Sequence, residues 1–180
     1  MTIALIIIAI LIVYIIIQYN VFVKARNSVK EAFSTMDVYL KKRWDLVPNL
    51  VEVVKGYTEH ENKTFEKITE LRNQKYDGMT SLEKINANQQ LNGELSKIIA
   101  VAENYPELKA SQNYLDLSKQ LSKIEDEIAN SRKYYNAVVK KLNTRIEMFP
   151  SNIVAKIFKF KQEEMFTVEE NERKNVKIGE

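Results

Sequence analysis

From Thr2 to Val23 no side chain carries a charge, and Ile3 to Ile17 is an unbroken apolar run. About 20 apolar residues in a helix cross the hydrocarbon core of a bilayer. Tyr14 and Tyr19 fall toward the later end, where amphipathic rings favour the headgroup level. The pattern predicts a transmembrane anchor over residues 1–23. The rival is a cleaved signal peptide with a small-residue site at Val23-Lys24-Ala25, but nothing basic precedes the run except the α-amine, and a signal peptide needs a basic n-region.

Beyond the run the apolar positions take up helical spacing. Phe22, Val29, Phe33, Met36 and Leu40 fall at near-heptad intervals with Arg26 in the remaining seam slot, so the anchor is expected to continue into a first helix ending near Arg43. Asp45 then reads as the cap of a second helix with Pro48 in its first turn, where the missing N–H matters little. Its seam is Leu46, Leu50, Val53, Tyr57, Phe65, Ile68 and Leu71, and Tyr76-Asp77-Gly78 ends it. Ser81 opens a third helix that runs to about Asn104, and Tyr105-Pro106 is the next break. The fourth helix, from about Glu107 to Met148, carries the longest period: Leu117, Leu121, Ile124, Ile128, Ser131, Tyr135, Val138 and Leu142 alternate steps of four and three. Such spacing packs at a shallow crossing angle against neighbouring helices.

The expected fold is therefore all-α: a transmembrane helix continuous with an antiparallel, up-and-down four-helix, coiled-coil-like bundle over residues 24–148. Alternation of direction returns the chain to the bilayer after Phe149. There, residues 149–166 mix Ile153, Val154, Ile157, Phe158 and Phe160 with Lys156, Lys159 and Lys161. This basic amphipathic segment either lies on an anionic membrane surface, with Lys156, Phe158, Lys159, Phe160 and Lys161 as its contacts, or caps the open end of the bundle core. The fourth helix, at about 40 residues and roughly 60 Å, is too long for the first and must overhang, tilt or break. Residues 167–180 are charged, without pattern, and expected to be disordered.

Composition agrees. Only four Gly and three Pro in 180 residues leave few tight turns, which suits helices better than strands. The net charge of +3 comes from interleaved acids and bases, so charge gives no reason to expect nucleic acid. The chain has no cysteine, which removes disulfides, thiol catalysis and thiolate metal sites. Lys24, Arg26, Lys30, Lys41, Lys42 and Arg43 follow the apolar run closely; the positive-inside rule then places the N-terminus outside and the soluble domain in the cytoplasm, with the outer face as the alternative.

Three blocks resemble a known family: YNVFVKARNSVKEAFSTMDVYLKKRWDLVPNLVEVVKGYTEHE (19–61), AENYPELKASQNYLDLSKQL (102–121) and YNAVVKKLNTRIEMFPSNIVAKIFKF (135–160). Together and in this order they look like the LemA family. The resemblance spans nearly the whole chain and implies a membrane-anchored antiparallel helical bundle. It implies no activity, because the family carries no accepted catalytic residues. Glu125-Asp126 stands where the family pattern suggests Glu-Asn, and Leu142 where an aromatic is common.

The candidate chemistry is thin. His60 is the single histidine, within Glu59-His60-Glu61. A zinc-protease helix needs a second His at position 64, which is Thr64, and a di-iron carboxylate bundle needs Glu-x-x-His on two helices. A Ser-His-Asp arrangement lacks the glycines of a nucleophile elbow. No metal site, cofactor or catalytic residue is expected. Polar residues in or beside the seams are the remaining feature: Arg26, Asn27, Asp37, Arg43, Asp45, Asn49, His60, Glu61, Arg72, Asn143 and Arg145. Such groups most often fix register, and Arg43 or Arg72 with Asp37 or Asp45 are the natural pairs. The favoured reading is a non-enzymatic scaffold that binds protein partners or itself beside membrane lipid. The alternative is a lipid-sensing bundle using residues 150–166, and the least favoured is an enzyme built on His60 and nearby carboxylates.

Overall fold

The computed structural model describes residues 1–58 and 62–166, and for residues 62–64 the backbone alone. The elements are α1 (Thr2–Lys55), α2 (Asn62–Arg72), a 3-10 turn (Tyr76–Gly78), α3 (Ser81–Glu103), α4 (Pro106–Ala110), α5 (Gln112–Glu147) and α6 (Ser151–Ile157). Among the described residues there is no strand. The described residues form two compact units, one within residues 33–131 and one of residues 1–32 with 132–166.

The second helix expected from Asp45 does not exist as a separate element, because α1 runs unbroken through Pro48. Asp45 caps nothing: its carboxylate accepts from Lys41 Nζ one turn earlier on the same helix. Proline removes the donor to the Trp44 carbonyl, a loss of about 3 kcal/mol or more in a helix interior. Burial offsets it. Met36, Leu40, Arg43, Val47, Leu50 and Val54 form one buried stripe in steps of four and three that crosses Pro48 without changing face. Each buried aliphatic side chain is worth about 1.5–3 kcal/mol, so four in the two turns around the proline outweigh its cost. The helix ends at Gly56-Tyr57, whose amides donate to the carbonyls of Val53 and Val54 in a tightened last turn.

The rest of the larger unit follows the period. α3 begins at Ser81 with Thr80 as its cap: the Thr80 hydroxyl accepts from the Glu83 amide while the Glu83 carboxylate accepts from the Thr80 amide. Those bonds hold the exposed Glu83 carboxyl below its ordinary pKa. Ile85, Leu91, Leu95, Ile98 and Ala102 line its buried face. The long fourth helix breaks at Ser111 into α4 and α5, but α5 keeps 36 residues; the expected mismatch in length narrows because α1 continues to Lys55 instead of ending near Arg43. Leu121, Ile128 and Ser131 are buried as the seam requires, and the Ser131 hydroxyl donates to the carbonyls of Glu127 and Ile128.

In the smaller unit, residues 2–13 of α1 are exposed throughout, and the window of mean hydropathy 2.7 in this helix has none of its residues buried. A long apolar helix with nothing packed around it is a membrane helix rather than a core helix. Phe22, Val29 and Ala32 from α1, Tyr135, Val139 and Leu142 from α5, Val154 and Ala155 from α6, and Phe166 make this unit's core. Val139 takes the buried place expected for Val138, so the steps run four then three where three then four were read.

After α6 the chain turns and runs extended along α5, held by asparagines that imitate a peptide partner. Asn143 donates to the Glu163 carbonyl (2.8 Å) and accepts from the Glu163 amide (3.0 Å). Two helical turns earlier, Asn136 does the same with Phe166, both at 2.8 Å. Tyr135 Oη donates to the Glu164 carbonyl between them. Asn136→Ala and Asn143→Ala are each expected to speed hydrogen exchange of the one amide they hold, by about 1 kcal/mol of local opening or roughly fivefold in rate, with the α5 amides unchanged. Residue-resolved exchange on the full chain in bicelles checks this.

Candidate functional site

The larger unit buries a guanidinium, and its needs organise the surroundings. Arg43 is 4% exposed and Asn88 is 0% exposed. Arg43 Nη1 donates to both Glu125 carboxylate oxygens at 2.9 and 3.0 Å. Its Nη2 donates to the Asn88 carbonyl and to Asn88 Oδ1, both at 3.0 Å, and Nε donates to the same Oδ1 at 3.3 Å. All five N–H groups therefore have acceptors, the condition under which a buried guanidinium is tolerated.

Asn88 passes the chain of contacts onward. Its Nδ2 donates to the Lys84 carbonyl (3.0 Å) and to Tyr76 Oη (3.3 Å), and Tyr76 Oη donates to Asp37 Oδ1 at 2.8 Å. Lys84 Nζ closes an ion pair on Asp37 Oδ2. Tyr76 also packs its ring against Trp44 with centroids 5.2 Å apart, beneath the ammonium groups of Lys84 and Lys41. Burial pushes the Tyr76 phenol well above its usual value near 10, and the bond to Asp37 and then its charge push the same way, while Asn88 and Arg43 pull back.

The expected pairs of Arg43 or Arg72 with Asp37 or Asp45 do not form. Arg43 takes Glu125 and Asn88, Asp37 takes Tyr76 and Lys84, and Asp45 takes Lys41. Arg72 and Asn49 are exposed, with Arg72 lining an open groove beside Pro48, Val51 and Ile68. His60 and Glu61 lie outside the described residues, as does the 167–180 tail. Among the described residues no group of His, Cys, Asp or Glu side chains is placed to hold a metal ion. Asn88 and Lys84 were not singled out in the sequence, and Tyr76 and Glu125 were noted there only for a helix break and a departure from the family pattern, not as polar partners.

A second cluster stands where the apolar run ends. The Phe160 ring stacks on Phe22 (centroids 4.9 Å, 22° between planes) and tilts against Tyr19 at 5.8 Å. Phe158 packs on Tyr19 at 4.9 Å, and the exposed Arg26 guanidinium stands 5.5 Å from the Phe160 centroid. The end of α6 aims these rings. The Phe160 amide donates to the Ala155 carbonyl and the Lys159 amide to the Lys156 carbonyl, with Lys159 at φ 56°. This is the Schellman arrangement, in which the left-handed residue is usually glycine. Lys156, Lys159 and Lys161 are exposed.

The class these features define is a membrane-anchored, all-helical protein whose polar interior joins helices to one another. The chain belongs to the LemA family, whose sequence profile matches residues 32–179. It is similar to Protein LemA of Metamycoplasma hominis, 28% identical over 162 residues that cover 89% of this chain and 74% of that protein. It is also similar to Magnetosome protein MamQ 2 of Paramagnetospirillum magneticum and Magnetosome protein MamQ of Magnetospirillum gryphiswaldense, at 25% and 22% identity over 178 residues. The chain spans 65% of the length of each MamQ protein and 84% of its own.

Two predictions follow from the buried network. Arg43→Met removes the cation and leaves Asn88 Oδ1 and the part-exposed Glu125 carboxylate without their donor, an expected loss of about 1–3 kcal/mol. Asn88→Ala is expected to cost about 1–3 kcal/mol. Because the two side chains share bonds, the double variant should fall short of the sum by more than roughly 0.5 kcal/mol in denaturant unfolding of the micelle-held chain. The second prediction concerns pH. The unfolded chain releases the Tyr76 proton near pH 10 while the folded chain keeps it, so the folded state binds more protons above that pH and stability falls as pH rises. Tyr135, raised by burial and by the charges of Glu163 and Glu164, adds in the same direction. Unfolding measured from about pH 9 to 11 should show a shallower alkaline decline for Tyr76→Phe than for the natural chain.

Proposed function

We propose that the chain is a non-enzymatic, membrane-anchored interaction module whose helical domain lies in the cytoplasm and docks proteins, further copies of itself included. The observation that carries this reading is the Arg43–Asn88–Tyr76–Asp37 chain of contacts. Its charged and polar groups hold one another and the backbone, as groups that fix helix register do. A catalytic constellation is arranged differently, with acceptors and donors aimed at a cleft where a reacting atom can sit. The outer surface of the same unit offers large apolar side chains at Val38, Leu82, Ile99 and Leu115, all exposed. The cytoplasmic placement draws on the basic flank of the membrane helix, in which Lys24, Arg26 and Lys30 are all exposed.

Photoreactive residues placed singly at Val38, Leu82, Ile99 and Leu115 of the full chain, irradiated in intact membranes, test the reading. Protein adducts of discrete mass at one or more of these positions are the expected result. Lipid adducts alone, or none at any of the four, contradict it. A lipid-responsive bundle is the second reading, favoured by one observation: the Phe158 and Phe160 rings pack on α1 at Tyr19 and Phe22, where the membrane run ends.

A further inference from the structure

α6 divides its side chains sharply. Val154 and Ala155 are buried, at 2% and 1% exposure, whereas Ile153 and Ile157, one turn apart on another side, are 51% and 60% exposed. Met148 and Phe149 before the helix and Phe158 after it are exposed as well. Five large apolar side chains thus face outward on and around a seven-residue helix, with Lys156, Lys159 and Lys161 beside them. A patch of this kind marks an interaction surface.

Its occupant follows from its position. Phe158 packs on Tyr19 and Phe160 on Phe22. Along α1, Tyr19 and Phe22 lie about 3 and 8 Å beyond Ile17, the last residue of the apolar run. The headgroup layer of one leaflet is roughly 5–8 Å deep. The contacts therefore tie the end of α6 to the level at which α1 passes through headgroups, so the apolar patch continues the surface that the membrane helix already presents to lipid.

Charge points the same way. On a different side of α1 from Tyr19 and Phe22, an open groove is lined by Lys24, Lys141 and Arg145 with Val21, Ser28 and Val138. It has three cations and no acid, and Lys24 lies about 10 Å past Ile17 along the axis, at the outer edge of the headgroup layer and within reach of lipid phosphates. Lys159 adds a third observation. It holds the left-handed position of the Schellman turn, where a side chain is strained and glycine is not. Strain of this kind is a pointer to use, and its ammonium is exposed beside the apolar patch.

We propose that α6, with Met148, Phe149 and Phe158, is an interfacial element that enters the headgroup layer of the bilayer in which the chain is anchored. Acidic phospholipid is its partner. Lys156, Lys159 and Lys161, together with the Lys24–Lys141–Arg145 groove, supply the cations for the lipid phosphates. The proposal rests on α1 being a membrane helix and deepens the lipid-responsive reading by naming the lipid class and the residues that meet it.

The absence of cysteine allows single spin labels without background. The full chain carrying Ile153→Cys or Ile157→Cys is reconstituted into phosphatidylcholine vesicles with and without phosphatidylglycerol, with Ile10→Cys as the span control and Lys109→Cys as the water control. Power saturation then compares accessibility to oxygen with accessibility to a water-soluble nickel chelate. In acidic vesicles the labels at 153 and 157 are expected to favour oxygen, as the label at 10 does, with a ratio above one. That ratio should drop toward the value at 109 when phosphatidylglycerol is omitted or when Lys156, Lys159 and Lys161 are all changed to Gln. Labels at 153 and 157 that favour the nickel chelate overturn the proposal. So do labels shielded from both reagents with spin–spin broadening, which would mean that a second copy covers the patch. A label at 10 that favours the chelate overturns the membrane helix itself, and the proposal with it, and so is told apart from a failure at α6 alone.

Discussion

Arg43 is the constraint on which the larger unit depends. Removing a guanidinium from water costs several kcal/mol unless each N–H finds an acceptor. This chain supplies five by bringing Asn88 of α3 and Glu125 of α5 against α1 at one relative position. Apolar seams alone do not demand that, because hydrophobic burial is non-directional and tolerates sliding by a turn. A slip of any one helix would leave a buried charge or a buried amide unpaired. Asn88 then extends the demand to Tyr76, and Tyr76 to Asp37 and Lys84, so the short turn between α2 and α3 is placed by the same chain of contacts.

The smaller unit uses side chains where other folds would use backbone. Its extended segment has no strand to pair with, and Asn136 and Asn143 meet its amide and carbonyl groups in pairs. Their seven-residue spacing puts both on one face of α5 two turns apart, which matches the reach of the three residue steps from Glu163 to Phe166. The Schellman turn at Lys159 reverses the chain so that Phe160 returns to α1 and the remainder follows α5. Burial of Phe160 on Phe22 and of Phe166 in the unit core fastens the two ends of that segment.

Period carried most of what the sequence could reveal. The membrane helix, α3 and the α5 seam were legible because apolar spacing is a local property of consecutive turns. Pro48 misled for the same reason: a local rule made it a helix start, while tertiary burial of Val47, Leu50, Val51 and Val54 held the helix through it. Taking Arg43 as a seam residue would have joined the two stripes, since steps of three and four run through Leu40, Arg43, Val47 and Leu50. Asn88 was invisible, as it looks no different from Asn86 or Asn92 and its partner lies 45 residues upstream. Asn136 was hidden likewise, its partner being 30 residues away on a segment with no period of its own. The basic segment was seen as either a membrane surface or a core cap because each residue had one reading. In the structure Val154, Ala155 and Phe160 pack inward while Ile153, Ile157 and the lysines face out.

Native-state hydrogen exchange on the full chain in bicelles tests the central claim most directly, by asking whether the buried network makes the helices of the larger unit one cooperative body. The account predicts that the core amides of α1 after residue 33, of α3 and of α5 before residue 131 open together, with one common free energy and one common dependence on denaturant. Separate opening of α3 or of the α5 segment, at free energies well below that of α1, would contradict it and reduce the Arg43 network to a local ornament on independently stable helices.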